Sequence, residues 1–181
     1  MMRSRIAGTI FTILLAFSCS EANAYETKKS GIKFLPEGCE FSAEFPERPK
    51  EKGEKGEDHS RYIAFLKEGR STLRAVCTTF SSEESLDIPD ETLSLWGWSY
   101  AERNDIRLPE IEVKGTPIGK LVIIKGSRLI DNWAVIFKVH AYYGLTSRMT
   151  LTVSIKTKFY PTREGEAFLN SIARPPKTHP Q

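Results

Sequence analysis

The chain has 181 residues, of which 26 are basic and 23 acidic, and its formal net charge is +3. This length suits one domain of ordinary size. The nearly balanced charge gives no support to a nucleic-acid-binding protein, whose domains are usually strongly basic. No run after residue 24 is long and apolar enough to span a bilayer, so no transmembrane anchor is expected.

The first 24 residues have the three-part layout of a secretory signal peptide. Arg3 and Arg5 form a positive start, residues 6–17 are uncharged, and positions 22–24 read Ala-Asn-Ala, a suitable cleavage site. The leader holds two basic residues and one acid, so its removal leaves a net charge of +2. These features predict a periplasmic or secreted protein.

Lipid attachment at Cys19 is the alternative to cleavage, although the bulky Phe17 fits a lipoprotein site poorly. With cleavage, we expect a signal peptide over 1–24, a single domain over 25–173 and a flexible tail over 174–181.

The first strand predicted in chain order lies within "GCEFSAEFPERP". Its odd positions from 39 to 45 are apolar and its even positions polar, and a period of two is typical of a half-buried strand. The charged segment over 50–60 that follows is predicted to be a solvated, mobile connection, with a binding loop as the alternative.

The runs "RYIAFL" and "STLRAVCTTF" predict a hairpin with Glu68-Gly69 as its turn. The numbers of facing residues then sum to 137, so that Tyr62 faces Ala75 and Ser60 faces Cys77. This register brings apolar groups together on one face of the hairpin.

Cleavage of the leader leaves Cys39 and Cys77, an even pair in an oxidising compartment, which favours a disulfide. Such a bridge would contribute about 4 kcal/mol by closing the loop between them, and two buried free thiols are the alternative. In a plain three-strand meander the cysteines would lie about 10 Å apart, whereas a bridge requires α-carbons within about 7 Å. The order of the first three strands therefore stays open.

The stretch "IPDETLSLWGWSYAERND" changes from strand to helical spacing. Apolar residues recur at helical intervals from 93 to 101, and the acids near 90 suit a first turn. Trp96, Trp98 and Tyr100 could stack against a ring-shaped ligand. We favour a core role for them, which is commoner for an aromatic stripe on an amphipathic helix.

Four strand-like runs follow, "IEVKG", "KLVIIKGSRLI", "WAVIFKVHAYY" and "SRMTLTVSIKTKF", and a last helix is predicted to begin at Thr162. This helix is expected to present Ala167, Phe168, Leu169 and Ile172 to the core. The order β-β-β-α-β-β-β-β-α lacks regular βαβ alternation. It predicts an α+β domain in which two helices pack on one antiparallel sheet of six to seven strands.

The third and fourth of these runs form a hairpin whose apolar residues occupy odd positions in both strands. Facing residues of antiparallel strands share a side of the sheet, so their numbers should sum to an even value. This excludes a two-residue turn at Gly144-Leu145. A turn of odd length is predicted, either with Tyr142-Tyr143-Gly144 as the loop or in a register where the numbers of facing residues sum to 290.

The opposite side of this hairpin is the candidate binding surface, because it combines cations and hydroxyls with no carboxylate from either strand. Such a face suits an anionic ligand. The alternative is the wet side of an ordinary antiparallel sheet. The residues predicted to share this face are Lys138, His140, Tyr142, Arg148, Thr150, Thr152, Ser154 and Lys156.

The sequence contains no local motif for catalysis, metal binding or cofactor binding. His59, His140 and His179 have no metal-ligand spacing. No nucleophile elbow, phosphate-binding glycine loop or C-x-x-C motif occurs. We therefore assign no catalytic residue and expect no metal or cofactor.

Short motifs give the chain a resemblance to small secreted α+β domains of the PsbP type. They are "CEFSAEFPERP", the strands from "GTPIGKLVIIKG" to "LTVSIK", and "GEAFLNSI", which together span most of residues 33–174. The resemblance implies a non-enzymatic accessory or binding role and transfers no functional residue. The Cys39/Cys77 pair departs from the pattern of the photosynthetic members, which argues against a photosystem role.

The resulting hypothesis is an exported binding or accessory protein of the cell envelope. It would present its sheet face or the segment over 47–60 to an anionic envelope ligand or an acidic protein, but not to nucleic acid. An envelope enzyme with a dispersed site is an alternative, and it requires a pocket where at least two of His59, His140, Tyr142 and the acids converge. A secreted inhibitor or immunity-like protein is another. The oligomeric state stays open.

Overall fold

The computed structural model describes residues 31–56, 59–80, 88–156 and 162–175. The predicted signal peptide, Cys19, His179 and the last six residues of the predicted tail lie outside these ranges. Within them the chain forms β1 (Ile32–Phe34), β2 (Ala43–Phe45), β3 (Lys50–Lys55), β4 (His59–Glu68), β5 (Ser71–Phe80), α1 (Asp90–Arg103), β6 (Arg107–Thr116), β7 (Gly119–Ile130), β8 (Trp133–Tyr143), β9 (Ser147–Ile155) and α2 (Arg163–Leu169).

The strands form a seven-stranded antiparallel sheet in the order β3-β4-β5-β9-β8-β7-β6 and a separate β1-β2 pair. The α+β class and the antiparallel sheet of six to seven strands are confirmed, but a second sheet of two strands is present in addition to the one predicted. Only the end of the strand expected over 39–45 pairs with β1, and this segment lies across one side of the large sheet. Phe41 and Phe45 are fully buried there.

Both sides of the large sheet are covered. α1 packs on β6 and β7 on one side, which we call the α1 face. The β1-β2 pair and α2 pack on the other side, the α2 face. Gly97 allows α1 to approach closely, because a β-carbon there would lie 2.9 Å from Ile111 Cγ2.

The two helices begin where the sequence predicts. Asp90 and Glu91 occupy the first turn of α1, where negative charge is favourable. Thr162 caps α2, and its Oγ1 accepts a hydrogen bond from Gly165 N at 3.1 Å. Phe168 and Leu169 are buried as expected, but Ala167 is exposed, contrary to the prediction.

The segment predicted to be a mobile connection over 50–60 is largely a strand. All six residues of β3 are exposed, yet β3 pairs antiparallel with β4 along its whole length. Because it is an edge strand with no buried side chain, it lacks the alternation that identifies a strand in sequence.

The β4-β5 hairpin has a register two residues away from the predicted one. The numbers of facing residues sum to 139, so the turn is Gly69-Arg70 and Tyr62 faces Cys77. Gly69 adopts a φ of +55°, which glycine tolerates. A shift by two leaves every side chain on its predicted face, because the side-chain period is also two.

The β8-β9 hairpin contradicts the predicted odd-length turn. The numbers of facing residues sum to 291, as for Tyr143 and Arg148, so residues 145–146 form a two-residue turn. An even sum would be required only if one side of the sheet faced solvent. In fact the odd positions of the two strands serve opposite cores, with Val139 in the α1-face core and Leu151 in the α2-face core.

The Cys39–Cys77 disulfide is confirmed, with α-carbons 6.3 Å apart. Cys77 lies on the α2 face of β5, opposite Tyr62 and Met149. Cys39 lies over Cys77 on the α2 face, because the segment before β2 crosses this face instead of pairing at the edge of the sheet. The distance problem of a flat meander therefore does not arise.

Glu40, next to the disulfide, ties three segments together. Its Oε2 accepts hydrogen bonds from the backbone N–H groups of Thr146 at 2.7 Å and Ser147 at 3.1 Å, and its Oε1 accepts one from Arg174 Nη2 at 2.8 Å. Gly144 makes room for the carboxylate, because a β-carbon there would overlap it. Arg174, where the flexible tail was predicted to begin, is held in this way.

Candidate functional site

The structure does not bring the predicted basic face together. The odd register sum places the even-numbered residues of β8 and β9 on opposite sides of the sheet: Lys138 faces Val153, whereas Arg148 faces Tyr143. The prediction of one shared face is therefore wrong. Lys156 follows β9 and is exposed. The α2 face receives Lys138, His140 and Tyr142, and the α1 face receives Arg148, Thr150, Thr152 and Ser154.

Two of the three residues on the α2 face, Lys138 and His140, contact α2, and the ring of Tyr142 packs against Phe41. Lys138 Nζ donates hydrogen bonds to both carboxylate oxygens of Glu166, at 2.8 and 2.9 Å. His140 is only 5% exposed and Tyr142 7%, and His140 Nδ1 donates to the carbonyl oxygen of Leu169 at 3.3 Å. These side chains are structural parts of the core and its rim.

Electrostatics agree with that placement. Burial lowers the pKa of His140 to about 4, and the positive charge of Lys138 acts in the same direction. Burial also raises the pKa of Tyr142 above its ordinary value. Both side chains are therefore neutral at pH 7, so His140 adds no positive charge for a ligand.

Arg148 lies on the α1 face, where it lines a cleft and is surrounded by aromatic rings. Its guanidinium carbon lies 4.9 Å from the ring centre of Trp96, 5.5 Å from that of Tyr143 and 6.0 Å from that of Phe80. Cation–π attraction of this kind contributes about 0.5–2 kcal/mol. Its Nε is buried with no hydrogen-bond partner among the described residues. Among the described residues, aromatic rings and not a carboxylate therefore hold this charge in place.

The cleft beside Arg148 has a volume of about 360 Å³, and we call it the arginine cleft. Strands β4, β5 and β9 form its floor, and one flank of α1 forms its wall. None of its described lining residues is acidic. They are His59, Arg61, Arg74, Val76, Thr78, Trp96, Tyr100, Arg103, Asn104, Arg148 and Thr150.

One end of the cleft is organised around Thr78. In the register of the sheet, Thr78 faces Arg61 on β4 and Arg148 on β9. The two arginines therefore flank one threonine hydroxyl across three adjacent strands, with α-carbons about 10 Å apart. Guanidinium groups reach several ångströms from the α-carbon, so both can approach one anion above Thr78.

The other end is organised around Arg74, four residues earlier on β5. Arg74 faces Thr152, whose Oγ1 lies 3.3 Å from the hydroxyl of Tyr100. A smaller hollow of about 160 Å³ continues from here and shares Arg74, Tyr100 and Asn104 with the cleft. It adds Arg128, whose Nη1 donates to the carbonyl oxygen of Asn104 at 3.0 Å.

The arginines of the cleft are poorly neutralised within the described part of the chain. Glu54 faces Arg61 in the register of β3 and β4, but its carboxylate pairs with Lys52 Nζ at 2.7 Å. Lys52 is the main cause that holds the pKa of Glu54 below its usual value, and the charge of Arg61 adds to it. No described carboxylate forms an ion pair with Arg61, Arg74 or Arg148 at 4.0 Å or less. The cleft thus concentrates positive charge that an anion could balance.

The aromatic stripe of α1 is divided between two roles. Trp98 is 53% exposed, away from the core. Trp96 contacts Tyr100 and Tyr143 at centroid distances of 5.2 and 5.5 Å in addition to Arg148. Its ring therefore packs against protein groups and helps to position Arg148.

The sequence interpretation included Arg148 but missed Arg61 and Arg74. Both occupy positions that alternate with apolar residues on β4 and β5, which is an available but weak signal. Their meeting with Arg148 depends on the pairing of β5 with β9. These strands are far apart in sequence, and no local pattern reveals that they are neighbours.

Among the predicted catalytic candidates, His59 lines the cleft, whereas His140 and Tyr142 lie on the opposite face. In the described ranges, no three side chains of the types that bind metals come together. In the same ranges, no helix is long and apolar enough to cross a membrane.

Comparisons with known proteins identify no family. No family model matches the chain, and no curated protein matches it. One solved structure with a similar backbone comes from Bacteroides thetaiotaomicron, with a TM-score of 0.49 and 14% sequence identity over 83% of this chain and 50% of that one. The chain thus spans half the length of that structure, and a similarity of this size supports no statement about function.

Proposed function

We propose that this chain is an exported, non-enzymatic binding protein of the cell envelope that holds an anionic ligand in the arginine cleft. The observation that carries the proposal is the placement of Arg61, Arg74 and Arg148 around one cleft whose described lining contains no acid. Positive groups with little neutralisation repel one another, and a bound anion relieves that repulsion.

Arginine is well suited to this role. Its planar guanidinium stays charged at any ordinary pH and offers a fork of N–H donors that matches carboxylate, sulfate and phosphate. At the cleft the threonine hydroxyls add further donors. The aromatic groups around Arg148 hold its guanidinium in one orientation, which reduces the entropy lost on binding.

The export part of the proposal rests on the leader and the cysteines. The signal-peptide pattern of residues 1–24 and the Cys39–Cys77 disulfide both suit an oxidising compartment outside the cytoplasm. The resemblance to PsbP-type domains supports a binding role. The intact mass of the chain from its native host tests this part: a start at Tyr25 is expected, and a full-length chain with free thiols would refute export.

The enzyme alternative requires at least two of the named catalytic candidates in one pocket. Of these candidates, His59 alone is among the described lining residues of the arginine cleft. His140 and Tyr142 are buried on the other side of the sheet. Binding without turnover therefore fits the described geometry better. No described feature favours an inhibitor or immunity-like role.

Titration with inorganic sulfate and phosphate, followed by NMR chemical shifts, tests anion binding directly. We expect shifts at the backbone amides of Thr78 and Arg148. Loss of one charge-assisted contact costs about 1.5–3 kcal/mol, so the double variant Arg61→Ala/Arg74→Ala should weaken binding at least about tenfold.

The control is Arg48→Ala/Lys125→Ala, which removes the same charge from exposed positions outside the cleft. Its affinity for sulfate should stay within about twofold of the wild type, since distant surface charges are screened by salt. Equal losses in the two double variants, or no shifts at the cleft, would refute the proposal.

A further inference from the structure

Resting on the proposed function, we infer that the ligand of the arginine cleft is an acidic oligosaccharide: an elongated, hydroxyl-rich molecule with two anionic groups that align with β5. Three features of the cleft carry this inference. They are the separation of two cationic ends, the hydroxyl groups along the floor between them, and the packing of the Trp96 ring against protein groups.

The two cationic ends define two anion subsites. One lies at Thr78 between Arg61 and Arg148. The other lies at Arg74, where the end of α1 contributes Arg103. Because four residues of β5 separate Thr78 from Arg74, the subsites are about 13 Å apart along the strand. A single sulfate or phosphate cannot occupy both, whereas an elongated ligand with two charged groups can.

The floor between the two subsites combines aliphatic side chains with hydroxyl groups, since Val76 lies between Ile63 and Thr150. Thr150 lies beside Val76 in the sheet register, and the hydroxyls of Thr152 and Tyr100 come next in the direction of Arg74. Hydroxyl groups both donate and accept hydrogen bonds. They are therefore suited to the hydroxyl groups of a sugar chain that lies across them.

The same surroundings disfavour two other elongated anions. A single-stranded nucleic acid is normally held by bases stacked on free aromatic rings, but the ring of Trp96 already packs against Arg148, Tyr100 and Tyr143. An acidic peptide would gain affinity from apolar pockets for its side chains, and Val76 is the single aliphatic residue among the described lining of the cleft.

Calorimetric titration with a set of defined probes tests the inference. The probes are glucose 6-sulfate with one anion, a chondroitin sulfate tetrasaccharide with several, the neutral cellotetraose, and a tetraglutamate peptide. We expect the tetrasaccharide to bind about 10- to 100-fold more tightly than glucose 6-sulfate, the gain from a second charge-assisted contact. Cellotetraose should not bind, and tetraglutamate should bind more weakly than the tetrasaccharide.

Two single variants show whether both subsites act together. Arg61→Ala and Arg74→Ala should each reduce the affinity for the tetrasaccharide to about that of glucose 6-sulfate. Each should leave binding of glucose 6-sulfate within about threefold, since one subsite remains. Arg48→Ala is the matched control and should bind every probe as the wild type does. Circular dichroism melting of each variant verifies that it is folded.

The outcomes separate this inference from the function on which it rests. If the single-anion probe binds and the tetrasaccharide gains nothing, the two-subsite inference is wrong while anion binding stands. If tetraglutamate binds as tightly as the tetrasaccharide, the saccharide assignment is wrong and an acidic peptide replaces it. If no anion binds and the cleft variants behave like Arg48→Ala, the inference and the proposed function both fail.

Discussion

Replacing Glu40 by alanine removes the group that joins the chain before β2, the β8-β9 turn and the end of the described chain. The carboxylate accepts two backbone hydrogen bonds, from Thr146 and Ser147, and one from Arg174. Its side chain is 18% exposed and that of Arg174 30%, so water replaces these contacts only in part.

The magnitude follows from those contacts. Each hydrogen bond to a charged group contributes about 1.5–3 kcal/mol, but the three share one carboxylate, are not additive and are partly solvated. We therefore expect Glu40→Ala to lower the free energy of unfolding by about 2–4 kcal/mol. Glu40→Gln keeps the size but lacks the charge, and its amide nitrogen cannot accept a hydrogen bond. It should lose about half as much.

Urea unfolding of the oxidised protein, followed by tryptophan fluorescence, measures these changes. Glu44→Ala is the matched control, because Glu44 is an exposed acid only four residues away, and it should change the free energy by no more than about 0.5 kcal/mol. A double-mutant cycle with Arg174→Ala should give a coupling of about 1 kcal/mol. A loss for Glu40→Ala no larger than the control's would refute the reasoning.

Three further perturbations have defined outcomes. Cys39→Ala/Cys77→Ala opens a loop of 38 residues and should lower the free energy of unfolding by about 4 kcal/mol; reduction of the wild type should have a similar effect, and unchanged urea midpoints would contradict it. His140 has a pKa of about 4 in the folded protein and 6.5 unfolded, so the unfolded state binds more protons between these values and stability falls with decreasing pH. Between pH 8 and pH 5 the wild type should lose about 2 kcal/mol more than His140→Gln; parallel stability curves would exclude this role. Trp96→Leu should weaken binding of the chondroitin sulfate tetrasaccharide about threefold to tenfold by releasing Arg148, whereas Trp96→Phe should retain most of the affinity. Equal losses of affinity in both variants would point to general packing instead.

The elements that the sequence predicts well are those with a strong local pattern. α1 and α2 follow from helical spacing and first-turn chemistry, including the cap at Thr162. The long strands follow from runs of β-branched and aromatic residues. Each of these signals lies within one short stretch of the chain, and for that reason the sequence alone reveals it.

The errors arise where the result depends on distant parts of the chain. The apolar odd positions of β8 and β9 suggest one buried side, but two separate layers cover the sheet, so Val139 and Leu151 face opposite cores. Because both sides of the sheet are buried, the numbers of facing residues have an odd sum and the turn has two residues. For the same reason the residues of the predicted basic face lie on opposite sides of the sheet. The arginine cleft depends likewise on β5 lying beside β9, which places Thr78 opposite Arg148.

The exposed strand β3 forms one edge of the large sheet. An outermost strand offers unpaired backbone N–H and C=O groups, to which a foreign strand can add. Along β3 five of six residues are charged, with lysines at 50, 52 and 55, so an incoming chain would have to remove these charges from water. The opposite edge strand, β6, contains Pro109 and a register shift between Arg107 and Glu110, which interrupts continuous pairing. Each edge thus resists the strand-by-strand growth that leads to fibrils.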